Sequence, residues 1–305
     1  MSLSPNTMFI RKIILLVLCC TFVFGSLTCN AKTEKKALLI GISDYPECKY
    51  DSHSSWSKIH GTNDVELIEN TLKKQGFNIT KLLNSNATAS KIRKSFQRFL
   101  AKISKGDIVY VHFSGHGQPV EDFSGDEDDG WDEAIIPYDA MQVYKQGMYE
   151  GINHILDDEL NMFVEKAREK AGPSGIVYIV VDACHAGSSY RSETVESDEY
   201  VRGSQRGFSS KGKKYIPRID KRSKIRVSKS QFKSDVCVLE ACRAYQSNSE
   251  IKESNKYYGP LSFYICKVLS NHPLGQNLKW TENVITLMNK DKRLIRQNAV
   301  IEASK

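Results

Sequence analysis

The 305 residues are 40% hydrophobic and 26% charged, ordinary values for a folded protein that exclude disorder along the whole chain. The length suits one or two domains and is ample for one large core. The net charge of +7 is no sign of nucleic-acid binding, because residues 188–235 alone hold 13 Lys/Arg against 6 Asp/Glu, which is the whole excess.

The first element is a leader. Arg11 and Lys12 precede an apolar run from Ile13 to Gly25, and small or polar residues follow as far as Cys29-Asn30-Ala31. This order predicts a signal peptide, residues 1–31, removed on export to a periplasmic, extracellular or cell-surface location. The apolar run of about 13 residues is shorter than the ~20 that a membrane span needs, so no membrane attachment is expected once it has gone. An uncleaved anchor and a lipoprotein site at Cys29 are the alternatives. Of eight cysteines, five remain after the leader: Cys48, Cys184, Cys237, Cys242 and Cys266. An odd number leaves at least one thiol unpaired, and no CxxC pair suggests zinc.

Downstream, short apolar runs alternate with helical patterns. Residues 37–42 read as a buried strand, 63–74 as a helix with Val65, Ile68 and Leu72 on one face, and 77–83 as a second strand. Residues 88–103 form a strong amphipathic pattern through Ile92, Phe96, Phe99, Leu100 and Ile103. A third strand spans 107–113. A helix opening on acids spans 157–171, as a helix N-terminus prefers. Strands at 175–181 and 235–241 and a helix at 261–269 complete the series. The alternation predicts a single α/β sandwich, a mostly parallel sheet of about six strands with helices on both faces. Two stretches interrupt it. Residues 121–139 hold nine acids and no base, and 188–231 are rich in Ser, Gly, Lys and Arg with little periodicity, the mark of a flexible loop or linker.

Two strands end in chemistry-bearing residues. One runs into His112-Phe113-Ser114-Gly115-His116-Gly117, the other into Asp182-Ala183-Cys184-His185-Ala186-Gly187. Ligands of open parallel sheets sit at the carboxyl ends of strands, so neighbouring strands would bring an imidazole to a thiol. That pair suits nucleophilic acyl transfer: a thiolate attacks, and the imidazole takes its proton and later protonates the leaving amine. His116 is preferred as base. His112 falls inside its strand, and His185 adjoins Cys184 in sequence, a poor geometry for proton transfer. The N–H groups of Gly117 and Cys184 could hold an oxyanion.

The blocks HFSGHG and DACHAG, with ALLIGI, the NDV at 63–65, WDEAIIPYDA, ILDDEL, LEAC with Gln246 and Glu250, and YGPLSFYI, resemble the metacaspases, caspase-like cysteine peptidases (clan CD) of non-animal lineages. They occur in the family's order from about residue 36 to the end. The animal caspase signature QACxG is absent, since Asp182 stands in place of its Gln. The resemblance implies a caspase-like fold with a large part at 36–187, a basic linker at 188–234 and a small part at 235–305. It implies hydrolysis of peptide bonds in peptide or protein substrates after Arg or Lys, with Asp64, Ser114 and Asp182 lining the pocket for the residue before the cut (P1). Asp182 lies two residues before Cys184, so on a strand the two side chains share a side, and a desolvated cation needs such a carboxylate. Asp64 alone reads equally well as a helix N-terminal acid. No cofactor is required for the chemistry. Calcium is a possible activator, with Asp132, Asp157 and Asp158 matching the family's ligands, although Arg191 stands where a further ligand is expected. The linker offers self-cleavage sites at Arg202, Arg206, Arg218 and Lys221-Arg222. A monomer is expected. The rival readings are a catalytically silent caspase-like interaction domain and a legumain- or clostripain-like hydrolase with another P1 preference.

Overall fold

Residues 37–42 are apolar on both sides of the chain, which is what a strand in the middle of a covered sheet requires. In the computed structural model, β1 (Lys35–Gly41) sends Ala37 and Leu39 into one core and Leu38 and Ile40 into the other. β7 (Ile176–Asp182) alternates likewise, with Ile176, Tyr178 and Val180 on the first side and Val177, Ile179 and Val181 on the second. The structure describes residues 33–48, 54–184, 200–204, 206–217, 219–275 and 277–304. The leader at 1–31, Cys29, His185, Arg191 and Arg218 lie outside the described residues.

The main sheet has seven strands, close to the six or so expected. Its order is β2 (Asn78–Leu83), β1, β3 (Ile108–Ser114), β7, β9 (Asp235–Glu240), β12 (Val300–Ala303) and β8 (Lys224–Arg226). All pairs are parallel except β9 with β12. Helices α1 (Gly61–Lys74), α4 (Pro260–Leu269) and α5 (Lys279–Lys290) contribute to the first core, and α2 (Ala89–Leu100) and α3 (Asp157–Ala171) to the second. Thr88 caps α2 by accepting from the Lys91 N–H. α3 has no side-chain cap, and Asp157, Asp158 and Glu159 in its first turn offset the helix dipole.

The acidic stretch is folded. β4 (Gly117–Glu121), β5 (Trp131–Ile135) and β6 (Ile155–Leu156) make a small antiparallel sheet beyond the end of β3, and the charged run forms the loop between β4 and β5. A hairpin of β10 (Ile251–Glu253) and β11 (Lys256–Tyr258) follows β9. Within the stretch 188–234, the described residues Val201, Gly203 and Phe208 make bridges to other parts of the fold, and β8 joins the sheet edge. The large and small parts share one sheet, because β7 pairs directly with β9.

Candidate active site

The register of the two central strands decides where the chemistry falls. Ser114 at the end of β3 pairs with Asp182 at the end of β7, so His116 and Cys184 each stand two residues beyond a paired position on neighbouring parallel strands. Both side chains are buried.

The His116 ring is oriented from behind. Its Nε2 lies 2.8 Å from the Ser57 carbonyl, and a carbonyl only accepts, so Nε2 carries the proton. Nδ1 is buried, has no hydrogen-bond partner among the described residues, and is the basic nitrogen. Trp56 stacks on the ring at 4.9 Å, and the Tyr45 hydroxyl receives the His116 backbone N–H at 3.0 Å. Burial, helped by the nearby Arg202 charge and opposed by the Ser57 bond, lowers the His116 pKa to about 4. The Ser57 carbonyl therefore fixes the orientation of the His116 ring. The Cys184 thiol donates to the Gln246 carbonyl at 2.8 Å. Cys242 lies beside it, and its own thiol pKa is pushed up first by a hydrogen bond with Cys184 and then by burial. All five described cysteines are free of disulfides.

The pocket next to this pair is filled by the chain itself. Arg202 is wholly buried. Its Nη1 donates to Asp64 Oδ2 and Ser114 Oγ, each at 2.6 Å, and to the Asp182 carbonyl at 3.3 Å. The Asp182 carboxylate stands 3.6 Å from the same nitrogen. Nε and Nη2 donate to Glu250 Oε1 at 3.0 and 2.7 Å. The guanidinium thus faces three buried carboxylates, and they hold it charged above the ordinary arginine range despite the cost of burial. Asp64 is pushed up to about 7, chiefly by burial and against the pull of Arg202.

The pocket walls are fixed in turn. Ser114 Oγ donates to Asp64 Oδ2 at 2.6 Å, and the Gly259 N–H donates to Asp64 Oδ1 at 3.0 Å. Asp182 accepts from Asn248 Nδ2 and from the Ser262 N–H and hydroxyl. His60 holds Glu250 through its backbone N–H at 2.7 Å and its ring Nδ1 at 2.6 Å. A Cβ at Gly259 would sit 2.2 Å from Asp182 Oδ2 and 2.5 Å from Arg202 Nη1, so glycine is needed for the pocket to exist.

The backbone of Arg202 completes the picture. Its carbonyl oxygen receives the Cys184 N–H at 2.8 Å and the Gly117 N–H at 3.4 Å, and its own N–H donates to the Asn248 carbonyl at 3.0 Å. Val201 bridges Ser249 in antiparallel fashion, and Gly203 bridges Gly117 in parallel fashion. The carbonyl carbon of Arg202 is therefore presented beside Cys184, with its oxygen between two N–H donors. Gly203 passes so close that a Cβ there would lie 2.3 Å from the Cys184 carbonyl oxygen.

A family model described as the caspase domain matches residues 34–302. This chain belongs to the caspase-domain family. Among relatives of this caspase-domain chain, Metacaspase-1 of Meyerozyma guilliermondii is 23% identical over 85% of this chain and 67% of its own length. Metacaspase-1 of Eremothecium gossypii is 24% identical over 83% of this chain and 61% of its own. Metacaspase-7 of Arabidopsis thaliana is 33% identical over 50% of this chain and 35% of its own. The chain thus spans between about a third and two thirds of the length of these relatives. Two solved structures share the fold. A Geobacter sulfurreducens protein has a TM-score of 0.60 at 18% identity, covering 89% of this chain and 93% of the other. Caspase-1 from Spodoptera frugiperda has a TM-score of 0.52 at 15% identity, covering 90% of each chain.

In the caspase-domain site, Asp64, Ser114 and Asp182 surround the Arg202 side chain, the Cys184 and Gly117 N–H groups hold its carbonyl oxygen, and His116 directly precedes Gly117. Of the predicted linker arginines among the described residues, Arg202 is the one in the pocket. The Arg206 carbonyl accepts from Gln118 Nε2, and exposed Arg222 is ion-paired with Asp220. Glu250, Ser57 and Trp56 escaped the sequence-based assignment. Glu250 was visible only as a match to the family pattern, and nothing local marks Ser57, which acts through its carbonyl. Of the acids expected to hold calcium, Asp132 clusters with Asp122 and Asp126, two acids that were not among those expected. Oxygens of Asp122, Asp126 and Asp132 lie within 4.8 Å of one another. Burial, and then the charges of Asp157, Asp122 and Asp158, push Asp132 up to about 7.

Proposed function

We propose that this protein is a cysteine peptidase that cleaves after arginine, and that Arg202–Gly203 is the first bond it cuts. The observation that carries this is the double placement of Arg202. Its side chain fills the acidic pocket while its carbonyl oxygen lies between the Cys184 and Gly117 N–H groups.

In this reading, His116 Nδ1 takes the Cys184 proton once the thiol leaves the Gln246 carbonyl, and the sulfur attacks the Arg202 carbonyl carbon. The oxyanion gains the two N–H bonds in full. The carbon–nitrogen bond to Gly203 breaks, and the imidazolium protonates the departing amine. Water, deprotonated by the same imidazole, then splits the thioester, leaving a carboxylate on Arg202 and a free thiol. The uncut chain blocks its own pocket, so other substrates enter only after residues 200–202 withdraw. A planar guanidinium meets Glu250, Asp64 and Asp182 along two edges, whereas an ammonium has no matching fork, so arginine is preferred to lysine.

Calcium is proposed as an activator. The clustered oxygens of Asp122, Asp126 and Asp132 suit a hard cation, and burial together with neighbouring carboxylates raises the pKa of Asp132. Such an ion would order the loop between β4 and β5, which leads into the sheet bearing Gly117. Export by the leader and a monomeric state are also proposed. The exposed edge strand β8 is three residues long and carries Lys224 and Arg226, features that discourage pairing with a second sheet.

The test is N-terminal sequencing of the full chain and of Cys184→Ala, alongside hydrolysis of an arginyl dye amide with and without calcium. The expected result is a fragment beginning at Gly203 in the wild type alone, with turnover lost in the variant. The same cut in both proteins, or no hydrolysis under either condition, overturns the proposal.

A further inference from the structure

The linker is gripped at a second point, six residues after Arg202. Phe208 is 1% exposed although it belongs to a basic, serine-rich and glycine-rich stretch. It lies in an aromatic recess on the small β4–β5–β6 sheet. The His154 ring is 4.5 Å from it, and Tyr144 and Tyr149 meet it edge-on at 5.7 and 5.8 Å. Val120 and Ile136 belong to the same buried cluster. Gly151, at φ +94°, leaves the space the ring uses, since a Cβ there would come within 3.0 Å of it.

The recess is rigidly built. Gln118 is fully buried, and its amide donates to the carbonyls of Gln142 and Arg206 at 2.9 and 2.8 Å. His154 Nε2 donates to Gln118 Oε1, and the Tyr149 hydroxyl donates to His154 Nδ1. The backbone is clamped too: Phe208 donates to the Pro119 carbonyl and accepts from the Glu121 N–H, both at 2.8 Å. β4 advances three residues between its bridges to the linker, at Gly117 and Val120, while the linker advances five, from Gly203 to Phe208. The linker is therefore held at two fixed points, Arg202 in the acidic pocket and Phe208 in the aromatic one, with the Arg202–Gly203 bond adjoining the first.

We infer that the recess is a substrate subsite on the leaving-group side of the cut, selecting an aromatic side chain at the sixth residue after the cleaved arginine. The chain's own Phe208 uses it first, to hold the linker in register, and peptides of the same pattern occupy it when Phe208 is absent. This rests on the proposed cleavage after arginine.

The experiment uses the full-length Phe208→Ala protein, which vacates the recess, with Phe208→Tyr as a control that keeps a ring. Self-cleavage at Arg202 is expected to slow about tenfold to a hundredfold in Phe208→Ala, the range that burial of one aromatic side chain supplies, and to recover in Phe208→Tyr. Two internally quenched peptides, each with one arginine and with either Phe or Ala at the sixth following position, are then given to Phe208→Ala, processed if necessary by a trace of wild type. A kcat/KM at least tenfold higher for the Phe peptide supports the subsite. Equal cleavage of both peptides overturns the subsite and leaves cleavage after arginine standing. Cleavage of neither by the wild type or the variant sinks the reading on which the subsite rests, and the subsite with it.

Discussion

Replacing Glu250 with Gln isolates the charge that grips the far edge of the arginine. Arg202 Nε and Nη2 both donate to one Glu250 oxygen, at 3.0 and 2.7 Å, and neither side chain touches water. Glu250→Gln keeps the shape and one acceptor but removes the charge. Losing a partner from a buried, hydrogen-bonded charge pair costs about 2–5 kcal/mol, and the retained acceptor places this change near the low end, about 2–3 kcal/mol. At about 1.4 kcal/mol per factor of ten, kcat/KM on an arginyl dye amide should fall roughly 30- to 150-fold. A lysyl substrate, which has no Nε–Nη2 edge to present, should lose much less. The assay is dye release by the processed protein with each substrate, with thermal unfolding recorded in parallel. A loss below threefold on the arginyl substrate, or equal losses on both, would refute the reasoning.

Gly203→Ala places a Cβ 2.3 Å from the Cys184 carbonyl oxygen and displaces the bond proposed to be cut, so the proposed self-cleavage at Arg202 should slow by about a hundredfold or more on a gel time course. Trp56→Ala uncovers the His116 ring. His116 must be neutral to accept a proton, so the rate falls as pH drops through its pKa. The acid limb of self-cleavage, at about 4 in the wild type, should move up toward the ordinary value of 6.5 in this variant, and an unmoved limb counts against Trp56 as the source of the burial. Asp132→Asn should abolish calcium binding measured by titration calorimetry, and any calcium stimulation of dye release with it; undiminished binding heat would place the ion elsewhere.

The α/β alternation was legible because the central strands are buried on both faces and their apolar runs carry no ambiguity. The helix at 157–171 matched residue for residue, since its acids mark the start and Gly172, at φ +63°, the end. What failed was the part whose order comes from tertiary contacts. β4 and β5 flank an acidic loop that masked their pattern, α5 buries only a narrow stripe through Trp280, Val284 and Met288, and β12 has four residues. At the site, His116 and Cys184 were legible as strand-end residues beside glycine. Ser57 was not, because a backbone carbonyl has no sequence signature, and Phe208 was hidden inside a stretch whose composition reads as linker. Arg202 stood out from its neighbours in sequence by nothing; its burial depends on acids contributed by α1, β7 and the segment after β9.

The direct pairing of β7 with β9 means that a break at Arg202 severs the polypeptide without parting the molecule. The nicked protein would migrate as two pieces under denaturing conditions and as one under native conditions. Because rejoining Gly203 to Arg202 would require a new amide, the nick works as a ratchet: a molecule that has once passed it keeps the record in its covalent structure while its central sheet stays whole.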